Sequence, residues 1–132
     1  MQKIFVNGSF DILHVGHIRL LQYARSLGDI LLVAIDTDRR IKELKGDSRP
    51  INTQAERVEM LMALASIDEV KTFDSDNDLI DIIRTYEPDI MVKGSDYKDQ
   101  PIVGSEFCKK IVFYDRIDEY STTKKIQDII NR

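Results

Sequence analysis

Ile30, Leu31, Leu32, Val33, Ala34 and Ile35 stand in an unbroken apolar row with three β-branched members. A strand exposed on one face alternates polar and apolar residues, so a continuous run of this length belongs to a strand covered on both faces. That requires helices above and below a parallel sheet, and the flanking sequence supplies the first of them. Residues 3–6 read as a strand and residues 7–11 as a loop. A helix then extends to about Leu27, with Leu13, Ile18, Leu20, Leu21, Ala24 and Leu27 recurring at three- and four-residue intervals. Gly28 is its expected stop, in the left-handed conformation that glycine adopts most easily. Residues 3–35 thus form a βαβ unit with a right-handed crossover.

The same alternation continues. Residues 36–50 are polar and basic with Gly46 and Pro50 as breakers, so a loop with a short helix around residues 40–44 is expected. Thr53 and Glu56 have capping-box spacing and open a helix to about Ala65. Residues 69–73 make a short strand, residues 78–86 a helix closed by Pro88, and residues 90–93 a buried strand ending in the turn Gly94, Ser95, Asp96, Tyr97. A short helix within residues 100–110, a last strand at 111–114, and a final helix capped by Ser121 and running to about Asn131 complete the pattern. The expected fold is α/β, a Rossmann-like, open, mostly parallel five-stranded sheet with helices on both faces. One domain over residues 1–132 is expected.

Composition removes several classes of function. No apolar run approaches a membrane span, and Met1, Gln2 and Lys3 lead into a strand without a signal-peptide pattern, so a cytoplasmic protein without a membrane partner is expected. One cysteine, Cys108, makes no internal disulfide and reads as a small buried apolar residue. The net charge of −4 argues against nucleic acid as a partner. Residues 38–50 run against that balance, with five basic residues (Arg39, Arg40, Lys42, Lys45, Arg49) and three acids, as suits a small anionic ligand.

Ligands of open parallel sheets sit beyond the carboxyl ends of the strands, and the polar loops of this chain all follow strands. His14 and His17 are three residues apart at a helix start, so both rings project from one face toward that edge. A zinc site is disfavoured, because two histidines and one distant cysteine leave a tetrahedral site short of ligands. A cap and a packed side chain would account for a lone histidine. Two of them around Gly16, beside a turn whose N–H groups and helix dipole suit phosphate, favour a functional pair.

Gly8, Ser9, Phe10, Asp11, Ile12, Leu13, His14, Val15, Gly16 and His17 resemble the HxGH signature of the nucleotidyltransferase superfamily, in the cytidylyltransferase branch. Tyr120, Ser121, Thr122, Thr123, Lys124, Lys125 and Ile126 resemble its second signature, a serine-threonine run opening a late helix. Residues 44–52 and 92–98 are most similar to the adenylyltransferase domain of bacterial ADP-heptose synthesis enzymes, with departures at Ser95 and Tyr120. The spacing from Arg116 to Ser121 also resembles glycerol-3-phosphate cytidylyltransferase. The heptose domain is often fused to a sugar kinase, which would here be a separate protein.

The resemblance implies attack by an acceptor phosphate oxygen on the α-phosphorus of a nucleoside triphosphate, with loss of pyrophosphate. It implies His14, His17 and Lys45 as catalytic residues, Lys45 being a cation that closes over the α-phosphate. Nucleotide contacts would come from Gly8, Ser9, Phe10, Asp11, Gly16, Arg57, Lys93, Asp96, Arg116, Ser121, Thr122 and Thr123. Asp36 could join Asp96 at ribose or base, Asp11 could brace the first loop, and an exposed helix arginine is the competing reading of Arg57. Magnesium would arrive with the triphosphate, held by phosphate oxygens and water rather than by a protein cage. The expected partners are a nucleoside triphosphate and a small phosphorylated acceptor, in a homo-oligomer, first of all a dimer. ATP with heptose 1-phosphate is the leading pair, CTP with glycerol 3-phosphate the second, and a non-catalytic nucleotide-binding module the rival from another class.

Overall fold

A computed structural model describes residues 1–115 and 122–131, the latter with side chains from residue 126 onward. Five strands, β1 (Lys3–Gly8), β2 (Ile30–Asp36), β3 (Glu69–Phe73), β4 (Ile90–Gly94) and β5 (Lys110–Tyr114), form one sheet in the order β3-β2-β1-β4-β5. Every pairing is parallel. The chain builds outward from β1 to β3 and then returns to the other side, so strand order reverses between β1 and β4. The α-helices among the described residues are α1 (Val15–Ser26), α2 (Asp38–Lys45), α3 (Gln54–Met62), α4 (Asp76–Tyr86) and α5 (Thr122–Ile130). None of the described helices is long and apolar enough to cross a membrane.

The apolar row of β2 is buried on both faces. Leu31, Val33 and Ile35 join Ile4, Val6, Leu21, Ala24 and Leu61 under α1 and α3, whereas Leu32 and Ala34 join Phe5, Met91, Leu79 and Ile83 under α4. The period of two along β1 and β2 sends successive side chains into opposite layers.

The departures from expectation have local causes. Helix α1 begins only at Val15 because Phe10 and Ile12 hold left-handed φ angles of 50° and 52°, which keep the preceding loop out of helical geometry. Gly28 is not left-handed; a Cβ there would lie 2.7 Å from the Gln2 carbonyl and from Ile4 Cδ1, so close packing under β1 selects glycine. Thr37 caps α2 through the Arg40 N–H, extending that helix to eight residues that end at Lys45, and Gly46 follows at φ 98°. Helix α3 stops at Met62, where the N–H groups of Ala63 and Leu64 turn to carbonyls three residues back. Ser75 starts α4 two residues early by capping Asp78 N–H, and left-handed Glu87 ends it before Pro88. In place of the expected helix within 100–110 there is a single 3₁₀ turn, Ser105–Phe107, after left-handed Gly104. Cys108 is half-buried against the lower layer, its thiol donating to the Ser105 carbonyl. The expected cap Ser121 and the loop residue Arg116 lie outside the described residues.

Candidate active site

A cavity of about 440 Å³ runs along the carboxyl ends of all five strands. Its wall over the β1–β4 reversal is the segment from Gly8 to His17. His14 is the N-cap of α1 and takes the Gly16 N–H on its Nδ1 at 3.1 Å, while the His14 N–H donates to His17 Nδ1 at 3.2 Å. The two rings stack at 3.8 Å between centroids, and Phe10 lies 5.1 Å from the His17 ring. This is a capping box built from imidazoles instead of hydroxyl and carboxylate. Because each Nδ1 accepts an N–H, the neutral rings carry their protons on Nε2, fixing both tautomers. The capping and the functional readings are therefore one arrangement: the hydrogen bonds that end the helix also set which nitrogen is a donor.

The cavity gathers Gly8, Ser9, Phe10, His14, Gly16, His17, Lys45, Lys93 and Asp96 from the expected set. Lys93 projects from the end of β4 with its Nζ 4.8 Å from the Tyr97 ring centroid. Burial pushes its ammonium below the ordinary lysine value, against Asp36 and Asp96, which favour the charged form. Thr122 and Thr123 form the first residues of α5, and only their backbone is described.

Asp11 and Arg57 stand behind this wall, both fully buried. The Asp11 carboxylate accepts the Ile51 and Asn52 N–H groups at 2.9 and 2.8 Å and the Arg49 Nε at 3.0 Å, tying the first loop to residues 49–52. Burial raises its pKa, but the hydrogen bonds from Asn52, Ile51 and Arg49 outweigh burial and hold the carboxyl below its usual range. Arg57 is neither an exposed helix arginine nor a cavity residue. Its guanidinium donates to the carbonyls of Asn52, Ser9 and Asp36 at 3.1, 2.9 and 2.8 Å and pairs with Asp38 at 2.8 Å, so it clamps the ends of β1 and β2 to the start of α3.

Arg19 and Asp76, which the sequence did not single out, also line the cavity, as do Arg40 and Arg49 of the basic stretch. For Arg40 a signal existed: it lies one helical turn after Asp36 and pairs with it at 3.1 Å. The basic stretch is less available to ligand than its formal charge implies. Arg39 pairs with Asp74 and Glu43, Arg40 with Asp36 and Asp76, and Arg49 with Asp11. Among the described residues no group of three or more His, Cys, Asp or Glu side chains could hold a metal ion. What the cavity offers is oriented N–H donors, a helix start and several cations, which suits an oligophosphate better than a hydrolytic nucleophile.

Known proteins share this layout. A family profile described as cytidylyltransferase-like matches residues 5–129. The chain is 50% identical over 126 residues to the bifunctional protein HldE of Campylobacter fetus subsp. fetus (strain 82-40), an alignment covering 96% of this chain and 27% of that protein. It is 46% identical over 126 residues to the bifunctional protein HldE of Helicobacter hepaticus, covering 96% and 26%. The chain spans about a quarter of the length of these curated relatives. Among solved structures, the lipopolysaccharide core biosynthesis protein of Thermoplasma volcanium GSS1 matches with a TM-score of 0.69 and 26% identity, covering 87% of this chain and 99% of that one. With a profile spanning nearly all the residues that build the sheet and its histidine-capped edge, this chain belongs to the cytidylyltransferase-like family.

Proposed function

We propose that the chain joins the adenylyl group of ATP to the phosphate of heptose 1-phosphate, releasing pyrophosphate. The observation that carries the chemistry is the reciprocal imidazole cap at the reversal point of the sheet. The sugar acceptor rests on the resemblance of residues 44–52 and 92–98 to heptose adenylyltransferase domains, and the likeness to a lipopolysaccharide core biosynthesis protein supports it.

In the reaction an acceptor phosphate oxygen forms a bond to the α-phosphorus as the bond from that phosphorus to its bridging oxygen breaks. The departing electron pair leaves with pyrophosphate. Such transfer needs alignment and charge stabilisation more than covalent chemistry. The Nε2–H groups of His14 and His17 donate to the α-phosphate oxygens, where charge develops. Gly16, between them, keeps the helix start open to the nucleotide. Lys45, the last residue of α2 before the left-handed Gly46, closes over the α-phosphate. Lys93 and Asp96 face the nucleoside. Arg116, Ser121, Thr122 and Thr123, with the first N–H groups of α5, hold the β- and γ-phosphates. Asp11 and Arg57 act by positioning, since their polar groups bind protein.

Magnesium would arrive with the triphosphate, held through phosphate oxygens and water rather than by a protein cage, and would supply charge neutralisation at the leaving pyrophosphate. A homodimer is the proposed assembly. A matrix of ATP, CTP, GTP and UTP against heptose 1-phosphate, glycerol 3-phosphate and phosphocholine, read by pyrophosphate release, tests the reading. Turnover with ATP and heptose 1-phosphate is expected; turnover confined to CTP with glycerol 3-phosphate would replace it by the cytidylyl reading.

A further inference from the structure

Asn7 interrupts the apolar row Ile4, Phe5, Val6 one residue before β1 ends. Asparagine is a poor strand former, and the period of two puts its side chain on the face of Phe5, toward the layer under α4. Asn7 lines the cavity, and its Oδ1 is buried with no hydrogen-bond partner among the described residues. A buried amide oxygen without a donor costs about as much as a lost hydrogen bond, a cost that the branched but apolar leucine would not carry. Stability alone therefore does not account for asparagine at this position.

The strand pairing shows which donor can reach it. The pairing of β1 with β4 runs from Ile4 and Ile90 to Phe5 and Met91 and stops there, although β1 stays paired with β2 to Gly8 and β4 with β5 to Gly94. The two strands part at the point where strand order reverses, which is where open parallel sheets hold nucleotides. Two residues beyond Phe5 and Met91, on that same face, stand Asn7 and Lys93, one on each lip of the opening. Paired strands lie about 5 Å apart, a gap that a lysine stem can span. The Lys93 ammonium rests 4.8 Å from the centroid of the Tyr97 ring, a side chain that is itself 41% exposed. Burial works against its charge, while Asp36 at the end of β2 and Asp96 after β4 support it. An amide oxygen on β1 is the further acceptor within reach of this cation.

Resting on the nucleotide-transfer reading above, we propose that Asn7 is a positioning residue: with nucleotide bound, the Lys93 ammonium leaves the Tyr97 ring, donates one N–H to Asn7 Oδ1, and is thereby aimed at the nucleotide in the crevice. The orphaned oxygen is then a local cost carried by the free protein and recovered when substrate binds.

The test is a double-mutant cycle of Asn7→Leu, Lys93→Met and both together, run with whichever substrate pair of the matrix above the unaltered chain turns over, and read by kcat/KM and melting temperature. Asn7→Leu should lower kcat/KM by about tenfold, the worth of one hydrogen bond from a charged donor, yet leave the melting temperature unchanged or higher. Lys93→Met should lower kcat/KM by about a hundredfold, and the double variant should fall within about twofold of Lys93→Met, because Asn7 acts only through the lysine. If leucine overfills the site and the chain folds poorly, Asn7→Ala completes the same cycle. Losses that multiply in the double variant, a normal rate in the Asn7 variants, or a lowered melting temperature with a normal rate overturns the inference alone. An unaltered chain that turns over no pair overturns the nucleotide-transfer reading and this inference with it.

Discussion

Replacing Asp11 by Asn keeps the shape of the side chain and removes its charge at a position with 0% exposure. In the native protein the carboxylate accepts two backbone N–H groups, from Ile51 and Asn52, and one guanidinium, from Arg49. A backbone hydrogen bond is worth about 1 kcal/mol and one from a charged donor about 2. The amide retains one acceptor oxygen and turns an NH₂ group against a donor, so a loss of about 3 kcal/mol is expected, within the range for breaking one side of a buried pair. Against a total stability of about 5–15 kcal/mol this is a large fraction. Urea unfolding at neutral pH should report it. The pH dependence has a definite sign. Because the folded carboxyl is held below its ordinary value of 3.8, its contribution is present above that value and is lost as pH falls through the folded value. The gap between Asp11→Asn and the unaltered chain should therefore be constant near neutrality and narrow below about pH 4. A destabilisation under about 1 kcal/mol, or a gap that ignores acidification, would refute the claim that this ion braces residues 49–52.

Two further substitutions separate catalysis from packing. Lys45→Ala should lower kcat by about a hundredfold with little change in melting temperature, because Lys45 ends its helix rather than filling the core; a large thermal loss without a rate defect contradicts its lid role. Gly28→Ala should destabilise by about 1–3 kcal/mol in denaturant, since the new Cβ meets the Gln2 carbonyl, a backbone atom; tolerance of alanine would show that β1 shifts easily.

The sheet was readable in the sequence because burial on both faces leaves a one-dimensional trace. The row from Ile30 to Ile35 and the polar stops after each strand carried strand number and common edge. The histidine pair was readable for a similar reason: spacing along a helix maps directly to a face. What failed depended on contacts between segments. Leu13 fits the helical period of α1, yet left-handed Phe10 and Ile12 delay the helix, and nothing in a β-branched isoleucine advertises that conformation. Arg57 follows a capping glutamate and was expected at the nucleotide, with an exposed helix arginine as the competing reading, but three carbonyls from separate segments converge on it. The formal +2 of residues 38–50 hid the fact that Asp11, Asp36, Asp74 and Asp76, all outside that stretch, come to meet its arginines. Arg40 lies one turn after Asp36, but only the folded chain brings both to the lining of the cavity.

Two imidazoles donating to the reacting phosphate are the centre of the proposed chemistry. The direct measurement is single-turnover transfer from ATP labelled on its α-phosphorus, with heptose 1-phosphate as acceptor, by the unaltered chain and by His14→Ala and His17→Ala. The label should appear in a nucleoside diphosphate sugar with unlabelled pyrophosphate, and the rate should fall by about 10²–10³ in each variant while circular dichroism still shows the folded sheet. Near-normal transfer by either variant would contradict the account.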